Sequence, residues 1–187
     1  SGGIKGTLAM DQAAIGGTNI TAPMGFGEIT SVSGVSFLAS QMSGILGLGY
    51  SSISIDNQDT FIDKSTLKDK SFSFYLKDTS EQSYMTIPGM DSENYSVVQA
   101  HKVAEKKYWA LNLTSMAQGE KKIDASKYMA VIDSGTSLLA GEEAIVKPLI
   151  DGIKVNSDCS GLDKLPVITF TIDDQSYPLA PQDYVLK

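Results

Sequence analysis

Apolar and polar positions alternate at period two over several short stretches of the chain. Residues 71–76, "SFSFYL", and 167–172, "VITFTI", alternate cleanly and predict strands. The second is followed by an acidic turn at Asp173-Asp174 and a returning strand, "QSYPLA". Residues 3–15, "GIKGTLAMDQAAI", alternate small or polar with apolar residues and end at Gly16-Gly17. "KKYWALNLTSM" is a further strand, and Gly, Ser, Thr, Asn and Asp fill the gaps as turns require. Two stretches read as helices, 59–68 "DTFIDKSTLK" and 142–153 "EEAIVKPLIDGI". In the latter, Ile145, Leu149 and Ile153 fall at i, i+4 and i+8 on one apolar stripe. Glu142 and Glu143 sit in its first turn, where the helix dipole favours negative charge. Pro148 predicts a kink or a late start. A composition seam at 88–93, "PGMDSE", reads as a junction between two lobes. The pattern predicts a mostly β protein with few helices.

Composition narrows the function classes. The 187 residues include 42% hydrophobic and 20% charged, a globular balance long enough to bury a core. Net charge is −7, and no basic cluster exceeds two adjacent lysines, which argues against nucleic acid. No apolar run approaches the ~20 residues that span a bilayer. An acidic surface suits either solubility or work at low pH. The chain opens on Ser1-Gly2-Gly3 without an initiator Met, and its true start is expected upstream. Cys159 is the only cysteine, so an internal disulfide is impossible. A cytosolic chain, an intermolecular bridge and a partner outside this sequence all remain open. Asn-X-Ser/Thr sequons occur at Asn19, Asn94 and Asn112 and argue mildly for a secretory route.

Candidate chemistry concentrates at "AVIDSGTSLLAG", Ala130–Gly141. Asp133 follows an apolar run, Met129 to Ile132, that reads as a buried strand, and burial of a carboxylate raises its pKa. Ser134, Thr136 and backbone N–H groups are placed to hold its ionised form. Gly135 permits a sharp turn, hydroxyls at 134, 136 and 137 can lock it, and Leu138 and Leu139 are expected to return to the core. The competing reading is a plain turn. His101, in the polar stretch "QAHKVAEKK", is expected to face solvent or a lobe seam. No Ser-His-Asp set, zinc spacing or phosphate loop stands out, and no cofactor or metal is invoked.

The surroundings of Asp133 add a resemblance. "MAVIDSGTSLLAG" resembles the second active-site stretch of the pepsin-like aspartic endopeptidases, the cathepsin D and pepsin type. "SGILGLGY" at 43–50, "FSFYL" at 72–76, "KYWALNLTSM" at 107–116 and "LPVITFTIDDQSYPLAPQDYVLK" at 165–187 resemble further family segments in the same order, so the likeness covers the whole chain. It implies a bilobal pepsin-like acid protease fold, incomplete at both ends. Residues 1–90 would be the later part of the first lobe, from the flap edge onward, and 91–187 the earlier part of the second. The first lobe's Asp-Thr-Gly-Ser stretch is expected upstream of Ser1, and a hydrophobic-hydrophobic-Gly segment after Lys187. A cysteine downstream of this chain is expected to pair with Cys159.

The resemblance implies a two-aspartate, water-activating peptidase at acid pH, with Asp133 as the one catalytic aspartate present. Gly135 and Thr136 would contact substrate backbone or orient the carboxylate, and Ser1 and Gly2, at the flap's edge, would contact substrate backbone. Phe37, Met42 and Ile45 resemble the wall of a pocket for an apolar residue before the cut, and Val131 a pocket residue after it. Each of these side chains also reads as plain core. Implied partners are protein or peptide substrates and pepstatin-like inhibitors of the full-length parent, with no nucleic acid and no membrane. The complete protein would be a monomer, lysosomal, vacuolar or secreted. Three features depart from the family: "IDASKYM" lacks a cysteine, Pro88-Gly89 stands where Gly-Gly is frequent, and Ser43 stands where Asp often precedes the Gly. Two alternatives follow: a non-catalytic peptide-binding homologue, and half-sites that self-associate.

Overall fold

The computed structural model describes residues 3–16, 18–34, 42–77, 83–95 and 99–186. Strand dominates over helix. The chain divides into two compact units, Ser1–Gln99 and Ala100–Lys187.

The first unit is built on a long antiparallel hairpin, β1 (Gly3–Asp11) with β4 (Met24–Ser33). Its register runs from Gly3 opposite Ser33 to Asp11 opposite Met24, with a bulge at Lys5/Gly6. A Cβ on Gly6 would stand 2.2 Å from the Glu28 carbonyl oxygen, so the two backbones meet where only glycine fits. Between these strands, β2 (Ala14–Ile15) pairs with β3 (Thr18–Asn19). The period-two reading missed β4, because Gly25 and Gly27 dilute the pattern and the bulge shifts its phase.

The expected helix over 59–68 shrinks to one turn, α1 (Phe61–Lys64). A capping box starts it: the Asp63 N–H donates to Thr60 Oγ1 at 3.2 Å, and the Thr60 N–H donates to Asp63 Oδ2 at 3.0 Å. It stops at Ser65 because the chain there pairs elsewhere. Thr21 and Ser65 form a bridge, and the Thr66 N–H donates to the Ile20 carbonyl at 2.8 Å. Phe61, Ile20, Thr21 and Ser65 are all buried at this crossing. Tertiary pairing thus overrides local helix preference. A short pair, β5 (Ser73–Tyr75) with β6 (Tyr84–Thr86), realises the strand expected at 71–76.

The second unit is a six-stranded sheet centred on β8 (Trp109–Gln118). β8 pairs with β7 (Glu105–Lys106), β9 (Lys121–Asp124), β10 (Met129–Val131) and β11 (Ile168–Ile172). β11 in turn pairs with β12 (Gln175–Leu179) through the predicted Asp173-Asp174 turn. Both turn residues have positive φ, 45° and 67°, the conformation that a two-residue hairpin of right-handed twist requires. Helix α2 (Glu143–Ile150) lays Ile145 and Leu149 into a core with Leu113, Met116, Ala125, Ile168 and Ile172. Ile153 packs against its edge, as the stripe predicts.

Pro148 neither delays the start of α2 nor ends it. It removes a single i→i−4 bond, to Ala144, in an eight-residue helix held by its packed face. The sheet also caps the helix's far end. Lys121 Nζ donates to the Pro148 carbonyl at 3.1 Å, and Gln118 Nε2 to the Asp151 carbonyl at 2.7 Å. A one-turn helix, α3 (Pro181–Tyr184), closes the chain with proline at its first position.

Candidate active site

Asp133 is presented by β10. That strand pairs Met129, Ala130 and Val131 with Asn112, Leu111 and Ala110, and the Ile132 N–H donates to the Trp109 carbonyl at 3.0 Å. The ladder ends there, and the chain turns at once. The Thr136 N–H closes the turn on the Asp133 carbonyl at 3.2 Å.

The carboxylate is held by two donors from the same turn. The Gly135 N–H donates to Oδ1 at 2.9 Å, and the Thr136 hydroxyl donates to Oδ2 at 2.5 Å. Of the three hydroxyls expected to lock the turn, Thr136's is the one on the carboxylate. A Cβ at Gly135 would stand 3.1 Å from Oδ1, so a side chain there would crowd the oxygen that its N–H binds.

These donors correct the expected direction of the Asp133 pKa. The Thr136 hydroxyl, and after it the Gly135 N–H, hold Asp133 below the ordinary carboxylate value, and burial opposes them more weakly. Asp133 is exposed, so there is little desolvation to raise it. The buried-strand expectation fails with it. Val131 is 47% and Ile132 58% exposed, and Leu138 and Leu139 are each 59% exposed rather than returned to the core. The described residues of this unit supply no second layer over that face. Asp133 is therefore flanked in the chain by exposed apolar residues, Val131 and Ile132 before it and Leu138 and Leu139 after it.

The other expected site residues are distributed unevenly. Asp133, Gly135 and Thr136 converge, and Val131 lies two residues before Asp133 on β10. Met42 and Ile45 belong to the first unit and are 67% and 72% exposed, so the plain-core reading fails for both. Ser1, Gly2 and Phe37 lie outside the described residues. The first unit also holds an open pocket of about 270 Å³ lined by Asp11, Met24, Phe26, Leu46 and Phe61 among others, which the sequence reading did not anticipate.

For His101 the solvent-facing alternative fails. Its side chain is only 10% exposed, and Nδ1 lies 3.0 Å from Asp173 Oδ2. Nε2 meets the Tyr177 hydroxyl, with the two rings edge to face. The network ties the segment before β7 to the β11–β12 hairpin. Its partners lie 72 and 76 residues away, beyond any local signal. Cys159 is a free thiol, and as the chain's only cysteine it forms no disulfide within these residues. Among the described residues no group of three or more His, Cys, Asp or Glu side chains converges to hold a metal, and no helix is long and apolar enough to cross a membrane.

The strand β10 thus leads to an exposed aspartate held by two hydrogen bonds. The family model described as eukaryotic aspartyl protease matches residues 1–187. Cathepsin D of Chionodraco hamatus is 33% identical across the whole chain, which covers 51% of that protein. Pepsin II-1 of Oryctolagus cuniculus is 32% identical, with 52% of it covered. A probable vacuolar protease A of Trichophyton verrucosum is 29% identical, with 50% covered. The chain thus spans about half the length of the curated relatives it matches. The ordered motifs, the mostly β architecture and the match over every residue agree, and the chain belongs to the eukaryotic aspartyl protease family.

Proposed function

We propose that the whole protein is an endopeptidase that hydrolyses peptide bonds at acid pH, with Asp133 as one member of a catalytic aspartate pair. The supporting observation is the Asp133 turn. It presents an accessible carboxylate whose two oxygens are oriented by different donors, the Gly135 N–H and the Thr136 hydroxyl. Those donors favour the ionised form, which a water-activating base needs. The Asp-Ser-Gly-Thr motif occurs once in these residues, and on this reading the second carboxylate comes from outside them.

Two carboxylates sharing a proton is a general property of aspartic proteases rather than a result of this chain's geometry. In that chemistry one carboxylate takes a proton from a bound water, and the water oxygen attacks the scissile carbonyl carbon. The other carboxylate gives its proton to the carbonyl oxygen. The carboxylate that took the water proton then passes it to the amide nitrogen, a hydroxyl proton of the tetrahedral species returns to the other carboxylate, and the C–N bond breaks to release the amine without an acyl-enzyme. The pair titrates as a unit, so the acid and base roles belong to both.

On this reading residues 1–90 are first-lobe sequence and 91–187 second-lobe sequence. Val131, Met42 and Ile45, all exposed, would line substrate pockets, with Phe37, Ser1 and Gly2 completing the set. Substrates are proteins or peptides, the working compartment is acidic and reached through the secretory pathway, and the complete protein is monomeric and sensitive to pepstatin-like inhibitors. The test is Asp133→Asn in the whole protein, assayed with a peptide substrate at acid pH. A fall in kcat/KM of about 10³-fold or more is expected. Acid proteolysis that survives the substitution refutes the assignment. Peptide binding without cleavage by the unsubstituted protein would instead favour the non-catalytic homologue.

A further inference from the structure

The three sequons differ in what the fold does with their asparagines. Asn94 is consumed by structure. Its Nδ2 donates to the Tyr84 hydroxyl at 2.7 Å and to Asp91 Oδ2 at 2.6 Å, while Tyr84 also bonds Asp91 and stacks on Tyr75 at 5.2 Å. A sugar on that nitrogen leaves it one hydrogen and forfeits one of the two bonds. The Asn19 side chain lies outside the described residues.

Asn112 is the opposite case. It lies on β8, whose backbone is secured on both sides by β10 and β11, yet its side chain is exposed. Its carboxamide has no hydrogen-bond partner among the described residues. Thr114, the hydroxyl residue that completes the sequon, is exposed as well. Directly opposite Asn112 on β10 stands Met129, an apolar side chain 49% open to solvent. A hydrophilic adduct at Asn112 breaks no side-chain hydrogen bond among the described residues.

We infer that Asn112 is a site of N-linked glycosylation and that Asn94 is not, an inference resting on the proposed secretory route. In the transfer, the Asn112 amide nitrogen bonds to C1 of the first sugar of a lipid-diphosphate-linked oligosaccharide. The C1–O bond to the carrier breaks, the lipid diphosphate leaves, and the amide proton passes to the transferring enzyme's base.

The test isolates the whole protein from its native cells and maps its sequon peptides by mass spectrometry, before and after peptide N-glycosidase. The Asn112 peptide is expected to carry glycan and to return with that asparagine converted to aspartate after enzyme treatment, while the Asn94 peptide is unchanged throughout. N112Q and T114A should each lose the same glycan and keep full peptidase activity. Two results overturn the proposal, and subcellular fractionation separates them. Membrane-enclosed protein with a bare Asn112, or with glycan on Asn94, refutes the site assignment alone. Cytosolic protein with no glycan refutes the secretory route and the site with it.

Discussion

Replacing Thr136 with valine tests the reading of the Asp133 turn most directly. Valine preserves the branched shape and removes only the hydroxyl that donates to Oδ2 at 2.5 Å. The Gly135 N–H at 2.9 Å stays, so the carboxylate loses the larger of two stabilising partners rather than both. A hydrogen bond to a charged group contributes about 1.5–3 kcal/mol in protected sites. Solvent screening at this exposed carboxylate lowers that to about 1 kcal/mol or less. The sign follows from the depressed pKa of Asp133. With one donor gone its pKa rises toward the ordinary carboxylate value, and a higher pH is needed to ionise it. Stability is linked the same way: the contribution is present above the unfolded-state pKa and lost as pH falls through the folded one. In the whole protein, the acid limb of the kcat/KM–pH profile should move up, and kcat/KM below the optimum should fall about five-fold. Thr136→Ser keeps a hydroxyl and should restore most of the profile. An unmoved acid limb in the valine variant, or a serine variant as impaired as the valine one, would refute the idea that this hydroxyl sets the ionisation of Asp133.

Four further outcomes are expected. Leu149→Ala opens a cavity in the second unit's core and should cost about 2–4 kcal/mol, seen as lost hydrogen-exchange protection in peptides covering 109–118 and 168–172. Lys147→Ala, on the exposed face of the same helix with only a 3.6 Å pair to Glu143, should cost under about 0.5 kcal/mol, and equal effects would refute the packing argument. His101→Phe leaves Asp173 and Tyr177 without their shared partner and should destabilise by about 1–2 kcal/mol, with exchange quickening at the β11–β12 turn. Purified residues 1–187 should show no inhibitor-sensitive peptidase activity, because they contain one Asp-Ser-Gly-Thr motif and leave Leu8, Met10, Leu138 and Leu139 exposed. Robust cleavage by that segment would refute it.

Local sequence was sufficient wherever one element's own neighbours decide its conformation. The alternation in "VITFTI", the Asp173-Asp174 reversal and the Ile145–Leu149–Ile153 stripe each declare a backbone geometry, because strand and helix periods are fixed by covalent structure. The turn that holds Asp133 is of the same kind, since its donors come from two and three residues away. Tertiary structure decided whatever depends on residues distant in the chain. Ser65 leaves the helix to bridge Thr21, the Gly6 bulge hides the phase of β4, and His101 finds Asp173 and Tyr177 across the sheet. It also decided the environment of the catalytic candidate. An apolar run marks Met129 to Ile132 as able to be buried, but burial needs a covering surface, and a local sequence cannot say whether one is present. In these residues Met129, Val131 and Ile132 lie open, and two hydrogen bonds rather than desolvation favour the ionised form of Asp133.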